Sequence, residues 1–169
     1  SLAYARHYPA INWTDSYSEY DTDLTRYYED NVDSDFMKYR LRIIAILREE
    51  SQLMEIVKLI GADVLPDDQR LIIDIARVIR VGFLQQNAYH QDDTYVPLQK
   101  QFLMMKTILH LYDAAKRLIA LSKPVTGVSD SGIYDKLIKI KYDIPNDKPE
   151  LFHEYDVQID SIIDDLCKK

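Results

Sequence analysis

The sequence contains few of the residues that interrupt helices and almost no cysteine. Four glycines and six prolines occur among its 169 residues, a composition that favours long helices. The only cysteine is Cys167, so the chain can build neither a disulfide framework nor a cysteine-based zinc site. A reducing compartment fits this composition.

Motifs that bind phosphate or activate a nucleophile are also missing. The four glycines are scattered at positions 61, 82, 127 and 132, so neither a GxxxxGK(S/T) loop nor a GxGxxG loop exists to cradle a phosphate. The sequence has no HExxH zinc motif and no GxSxG nucleophile elbow. It therefore predicts no catalytic residue within this chain.

Long apolar runs and an excess of basic charge are absent as well. No run approaches the roughly 18 apolar residues of a membrane span, and no signal peptide is visible. The formal net charge of -7 argues against nonspecific binding to nucleic acid or anionic lipid. What is present, 47% hydrophobic and 29% charged residues, is typical of one globular domain.

The spacing of apolar residues predicts an all-α fold, an antiparallel helical bundle joined by short loops. An extended lead-in over 1–22 comes before a helical domain over 23–169. The first predicted helix covers 23–32 and opens at Asp21 or Asp23. A long helix follows from a cap at Asp33 or Ser34 to Ile60, and the others cover 66–84, 98–121, 131–141 and 149–167. The predicted loops include 61–69, 85–97 and 122–132.

The longest predicted helix ends at Ile60. Its apolar positions recur three or four residues apart and predict one apolar face: Leu41, Ile44, Leu47, Leu53 (or Met54), Ile56 and Ile60. Gly61 stands where a glycine commonly ends a helix. In the next helix Pro66 takes the first helical position, and Asp67 and Asp68 in the first turn suit the helix dipole.

Aromatic residues outside the predicted helices are the unusual feature. The chain has 13 tyrosines, and Tyr8, Tyr89 and Tyr95 all fall in predicted non-helical segments. Rings on loops can form a slot for a planar base, and each stacked base contributes on the order of 1–3 kcal/mol. The alternative is that these rings pack onto the helical core as ordinary apolar surface.

A metal site is a second alternative for the loop that carries Tyr89. His90, Asp92 and Asp93 have suitable ligand atoms, but this spacing around one histidine matches no defined metal motif. The sequence therefore predicts no metal-binding residue.

Four stretches, taken together in order, resemble a known family. They are RHYPAINW at 6–13, the segment at 48–80 that begins REESQLMEIV, FLQQNAYHQDDTY at 83–95 and KQFLMMKTILHLYDAA at 100–115. With them the chain resembles the C-terminal helical domain of the catalytic A subunit of archaeal-type and vacuolar-type rotary ATP synthases. Because it begins at Ser1 without Met, inside a matched segment, we expect a fragment of a longer subunit.

The resemblance implies that the phosphate chemistry lies elsewhere in the subunit. In that family an upstream α/β domain carries the P-loop, the Mg-binding acid and the catalytic carboxylate, so ATP or ADP with Mg belongs to the full-length subunit. The fragment alone is expected to hydrolyse no ATP and to hold no nucleotide tightly.

The resemblance also implies partners and a location. The partners are the nucleotide-binding domain of the same subunit, B subunits in an alternating A/B hexamer, and central-stalk subunits of the D and F type. The implied location is the cytoplasmic side of the membrane, as a peripheral component that neither inserts into the membrane nor binds nucleic acid.

Two sites follow from the resemblance. Tyr8 is similar to one wall of the family's adenine pocket, Tyr89 is similar to the opposite wall, and Tyr95 by analogy lines the same pocket. The family's rotor-facing loop corresponds here to Gly61, Ala62, Asp63, Val64, Leu65, Pro66, Asp67 and Asp68. The residues alone leave two alternatives open: a solvated acidic turn at this loop, and a free-standing helical interaction module whose acidic ends bind a basic partner.

Overall fold

The computed structural model describes residues 21–85 and 96–169. Within those ranges the regular structure is helical and no extended strand is present, which confirms the predicted all-α class. Most of the predicted lead-in lies outside the described residues. The first helix begins at Asp21, the earlier of its two predicted starts.

Seven α-helices follow one another along the described ranges. They are α1 (Asp21–Asn31), α2 (Phe36–Ile60), α3 (Asp67–Val78), α4 (Leu98–Ala120), α5 (Thr126–Asp130), α6 (Ile133–Asp143) and α7 (Phe152–Lys168). A π-helical turn, Ile79–Leu84, continues α3, and short 3₁₀ turns, Ala62–Val64 and Pro149–Leu151, precede α3 and α7. No helix in these ranges is long and apolar enough to cross a membrane.

The successive long helices run antiparallel, as the sequence predicts. Asp67 at the start of α3 accepts a 3.2 Å hydrogen bond from the backbone N–H of Val125, just after α4. Lys100 at the start of α4 donates a 2.6 Å hydrogen bond to the carbonyl of Ile144, just after α6. Each contact brings the beginning of one helix to the end of another, so α3 and α6 both run opposite to α4.

Helix α4 lies at the centre of the bundle. It packs against α2, α3, α6 and α7, so several of its faces are covered, unlike the single apolar stripe of a surface helix. Its side chains account for half of the largest fully buried residues: Met104, Met105, Ile108, Leu109, Leu111 and Leu118.

Three local details differ from the sequence predictions. A short helix, α5, lies inside the predicted loop 122–132 because Val125 and Val128 are buried against the bundle. The Asp33 carboxylate accepts a 2.9 Å hydrogen bond from the N–H of Asp35, so it stabilises the turn before α2 and does not cap the helix itself. Pro66 precedes α3 as its N-cap instead of occupying the first helical position.

The buried face of α2 also differs from the predicted one. Leu41, Ile56 and Ile60 are exposed, whereas Ile43 and Ile46 are buried. The last buried residue of α2 is Leu53, so the final two turns extend past the helices that cover the rest of it. Their apolar residues are therefore left at one end of the bundle.

Candidate functional site

The described residues next to two of the sequence-predicted sites lie at opposite ends of α3 and its π turn. One end is the α2–α3 connection, where α3 begins. The other is the end at which the chain leaves the π turn at Leu84 and enters α4 at Leu98. Tyr8, Tyr89 and Tyr95 lie outside the described residues, as do His90, Asp92 and Asp93 of the alternative metal interpretation.

The α2–α3 connection is a defined turn. Gly61 has a φ of 85° and donates its N–H to the carbonyl of Val57 at 2.8 Å, so glycine here ends α2 in a conformation that other residues adopt poorly. The Arg70 guanidinium donates to the carbonyl of Asp63. Leu65 is buried at 5% exposure and fixes the turn to the bundle.

Large apolar side chains are exposed around this turn. Ile56 is 43% exposed, Leu59 85%, Ile60 60% and Val64 64%; we call these four residues the apolar tip. Exposed apolar surface of this kind marks interaction sites in soluble proteins. Sequence reasoning missed Leu59 and assigned Ile56 and Ile60 to the apolar face of α2. The available signal was that apolar residues continue up to Gly61.

The eight residues predicted to contact the rotor divide into two groups. Leu65 is buried and Asp67 is half-buried, with its carboxylate turned to the N–H of Val125. The remaining six are exposed: Gly61, Ala62, Asp63, Val64, Pro66 and Asp68. The exposed surface of the turn therefore combines Val64 of the apolar tip with the carboxylates of Asp63 and Asp68.

A pocket of about 220 Å³ with a mixed polar and apolar lining lies behind the turn, between the start of α3 and α5. Asp63, Arg70 and Asp74 line it together with apolar side chains that include Leu65 and Ile73. Burial raises the pKa of Asp74, and the nearby cations Arg77 and Arg70 partly oppose that rise. The cavity thus combines carboxylates with an arginine that is already bound to the turn.

Ion pairs tie α2 to its neighbours along its length. The buried Glu50 carboxylate pairs with Arg80 in the π turn. Arg42 makes a bidentate contact with Asp113 of α4, with N–O distances of 3.0 and 2.5 Å. Although partial burial opposes ionisation, hydrogen bonds from Arg42 and Lys116 hold the pKa of Asp113 below its ordinary value. Fork-to-fork contacts of this type fix orientation as well as distance.

The opposite end of α3 is held by side chains that sequence reasoning did not single out. Lys141 Nζ donates to the carbonyl of Gln85, the last described residue before 86–95. Gln101 Nε2 donates to the carbonyl of Val96, the first described residue after it, at 2.9 Å. No sequence motif marks Lys141 or Gln101, because their partners lie on other elements or depend on the fold.

Metal chemistry has no support among the residues that the structure describes. No group of three or more His, Cys, Asp or Glu side chains there could hold an ion. His110 is instead paired with Asp160 at 2.9 Å, between α4 and α7. This histidine–carboxylate contact therefore joins two packed helices.

Residues 25–125, which include both ends of α3, match the family described as the C-terminal domain of V and A type ATP synthase. The chain belongs to this family. This ATP synthase domain is 48% identical over 168 residues to V-type ATP synthase alpha chain 2 of Clostridium tetani. It is 44% identical over 160 residues to the V-type ATP synthase alpha chain of Halothermothrix orenii, and 40% identical over 169 residues to the A subunit of the A-type ATP synthase of Methanopyrus kandleri.

The alignments extend over nearly all of the domain and only part of its relatives. They cover 99%, 95% and 99% of the chain, and 28%, 27% and 28% of the three relatives. The family assignment that the four sequence stretches predicted is thus confirmed. The chain is the C-terminal domain of the A subunit, also called the alpha chain, of a V/A-type ATP synthase.

Proposed function

We propose that this domain supplies the adenine-side wall of an ATP site. Tyr8 and Tyr89 stack on the two sides of the base, and Tyr95 lines the same pocket. The nucleotide-binding domain of the same subunit holds the phosphates and Mg. Stacking on an aromatic ring contributes on the order of 1–3 kcal/mol per base, so the wall adds affinity and orientation to a site built mainly by the other domain.

The proposal gives the apolar tip the role of contacting the central stalk. The single observation that carries it is the exposure of Leu59, Ile60 and Val64 around the α2–α3 connection, which the buried Leu65 attaches to the bundle. Large apolar side chains have an unfavourable contact with water until a partner covers them. The partners are central-stalk subunits of the D and F type, within an alternating hexamer of A and B subunits.

Force transmission requires helices that move together, and ion pairs connect α2 to its neighbours. Glu50 and Arg80 join α2 to the π turn, and Arg42 and Asp113 join α2 to α4. A movement at the adenine wall therefore displaces the apolar tip, because the ion-paired helices move together. In this proposal ATP binding and hydrolysis drive the tip against the rotor, and ion flow drives the same linkage in reverse during ATP synthesis.

The proposed setting is a peripheral complex on the cytoplasmic side of a membrane. The relatives' names, which describe alpha chains of V-type and A subunits of A-type ATP synthases, support it. Catalysis of ATP hydrolysis or synthesis belongs to the complete subunit, because the chain carries no phosphate-binding loop.

The test is a double substitution, Leu59→Ser with Ile60→Ser, in the complete subunit within its assembled complex. We expect ATP hydrolysis to continue while ATP-driven ion transport per ATP falls roughly fivefold or more, because two large apolar contacts with the rotor are lost. Transport into sealed vesicles and ATP hydrolysis are measured on the same preparation.

Val157→Ser is the matched control. Val157 is also more than half exposed, on α7, so the substitution removes a similar apolar side chain away from the turn. Its transport per ATP should remain that of the unaltered complex. An unchanged ratio in the Leu59/Ile60 variant would contradict the rotor contact.

A further inference from the structure

The α2–α3 connection and the segment that contains α5 both line the pocket behind the turn. Ala62 and Leu65 line it from the connection, and Val125 and Ser129 line it from the α5 segment. A pocket of about 220 Å³ lies where side chains of a fully packed interior would meet. Close packing alone therefore cannot set the distance between these two segments.

Asp67 makes a contact that joins the start of α3 to the start of α5. Its Oδ2 atom accepts a 3.2 Å hydrogen bond from the backbone N–H of Val125, which lies 58 positions later in the chain. A hydrogen bond to a carboxylate is stronger than one between neutral groups. Asp67 is half-buried, whereas the neighbouring Asp68 is exposed. The two carboxylates of this turn therefore have different surroundings.

The segment that donates this hydrogen bond is itself fixed to the bundle. Val125 and Val128 are buried, at 2% and 0% exposure. A Cβ atom on Gly127 would come within 2.6 Å of Leu166 Cδ2 on α7, so the two helices lie very close together there. The Ser131 hydroxyl donates to the carbonyl of Val128 at 2.6 Å. Contacts with the core and with α7 thus hold the N–H of Val125 in place.

Only a short stretch of backbone separates Asp67 from the apolar tip. Val64 lies three positions before Asp67, and Pro66 between them has a φ of -63°, the value to which its ring restricts it. Arg70 on the first turns of α3 donates to the carbonyl of Asp63. The position of the start of α3 therefore determines where Val64 stands.

We infer that Asp67 is a positioning residue for the contact with the rotor. By holding the start of α3 on α5, it fixes the backbone that presents Val64 and the rest of the apolar tip. The inference rests on the proposed contact of that tip with the central stalk. A turn that is already held loses less conformational freedom when a partner binds it. Loss of this hydrogen bond therefore weakens the rotor contact without altering any group that acts on ATP.

The first test measures amide hydrogen exchange in this chain. Asp67→Ala removes the acceptor, Asp67→Asn keeps an oxygen that can accept, and Asp68→Ala removes the exposed carboxylate of the same helical turn. We expect peptides covering 61–65 to exchange roughly threefold faster or more in Asp67→Ala, because the turn then opens more often. Asp67→Asn should exchange more slowly than Asp67→Ala. Equal exchange in Asp67→Ala and Asp68→Ala would overturn the inference, whatever the role of the tip.

The second test removes the donor, in the complete subunit within its assembled complex. Val125 has a φ of -77°, which proline can adopt, so Val125→Pro deletes the N–H. Val125→Ala is the matched control, because it shortens the same buried side chain and keeps the N–H. We expect ion transport per ATP to fall roughly two- to fivefold in Val125→Pro while ATP hydrolysis continues, because the tip must be ordered each time it meets the rotor. Val125→Ala should keep the ratio of the unaltered complex.

Two results of the second test would contradict positioning by this hydrogen bond. An equal fall in Val125→Pro and Val125→Ala would attribute the effect to the buried side chain. A loss of thermal stability in Val125→Pro without a fall in transport per ATP would show a purely structural role. Should Val125→Pro fail to fold, Asp67→Ala is expected to lower the ratio more than Asp67→Asn does, and equal ratios would reject the inference.

Leu59→Ser with Ile60→Ser separates this inference from the function on which it rests. If the double variant lowers transport per ATP and Val125→Pro does not, positioning by Asp67 is rejected and the rotor contact stands. If the double variant leaves the ratio unchanged, the rotor contact is rejected and the inference falls with it.

Discussion

Among single residues, Tyr134 is a case of a polar atom buried in the core. The residue is buried on α6, and its hydroxyl has no hydrogen-bond partner among the residues that the structure describes. Burial, with a smaller contribution from Asp74, raises the pKa of the phenol above its ordinary value of 10.0. The folded protein therefore favours the neutral phenol, and its hydroxyl contributes little to stability.

Replacing Tyr134 by Phe is expected to leave the free energy of unfolding unchanged or to raise it by about 1 kcal/mol at neutral pH, because an unsatisfied hydroxyl leaves the core. Because the phenol's pKa is raised in the folded state, this group does not reduce stability below about pH 10. As the pH rises from there through the folded-state pKa, the unfolded phenol ionises while the buried one resists ionisation, so stability falls, and Tyr134→Phe should lose less stability over that range. Urea unfolding at about pH 7 and about pH 10.5 measures both effects.

Tyr155→Phe is the control for this prediction. Burial also raises the pKa of Tyr155, on α7, but that side chain is only half-buried. If Tyr134→Phe lowers the free energy of unfolding by more than about 1 kcal/mol at neutral pH, the hydroxyl forms a hydrogen bond in the protein in solution, and the prediction is wrong.

Among the helices and turns, a very close contact joins the π turn to α6. Gly82 allows it, because an added Cβ would lie 2.9 Å from the Cα of Ile138 and 3.1 Å from the carbonyl of Leu137. Those atoms belong to the backbone and cannot turn aside as a side chain can. The requirement here is for close approach, since Gly82 has no positive φ.

Gly82→Ala is expected to lower the free energy of unfolding by roughly 1–3 kcal/mol, the usual cost of overpacking, although alanine is intrinsically better in a helix. Gly127→Ala is the matched comparison: its Cβ would meet Leu166 Cδ2, the end of a flexible side chain, so the loss should be smaller. Thermal and urea unfolding of both variants measure the difference. If both variants lose the same free energy of unfolding, the backbone at Ile138 can shift to accommodate the added Cβ at little cost, which would contradict the prediction.

Across the whole molecule, the apolar tip and the residues that flank 86–95 lie at opposite ends of the buried core around α3. In the proposed function, this domain supplies the adenine-side wall of the ATP site and moves together with it. The phosphate-binding residues belong to the rest of the subunit. The chain spans 28% of the length of two of its relatives, which fits this division of labour.

The isolated chain is expected to bind ATP with a millimolar Kd or not at all, because stacking alone provides only about 1–3 kcal/mol per base. It should also hydrolyse no ATP. Isothermal titration calorimetry of the 19.8 kDa chain measures the affinity, and the complete subunit is the positive control. Micromolar binding by the chain alone would contradict the proposed sharing of the site between two domains.

Local signals in the sequence were enough to predict six of the seven described helices, their approximate ends and the family. Periodicity, Gly61 at the end of α2 and the breaks around Pro66 and Pro97 depend on neighbouring residues alone, so they can be recognised without knowledge of the fold. The four stretches that resemble the family identified it because their residue order is itself specific. The proposed roles of Tyr8, Tyr89 and Tyr95 remain predictions from that resemblance, since these residues lie outside the described ranges.

Which apolar residues are covered depended on the packing of the helices. Ile43 and Ile60 both belong to α2, yet one is buried and the other forms part of the apolar tip, because burial requires another helix alongside. The same reason explains two buried lysines, Lys100 and Lys141. The partners of Lys141 and Lys100 lie 56 and 41 or more positions away, and contacts over such separations exist only once the helices have packed together.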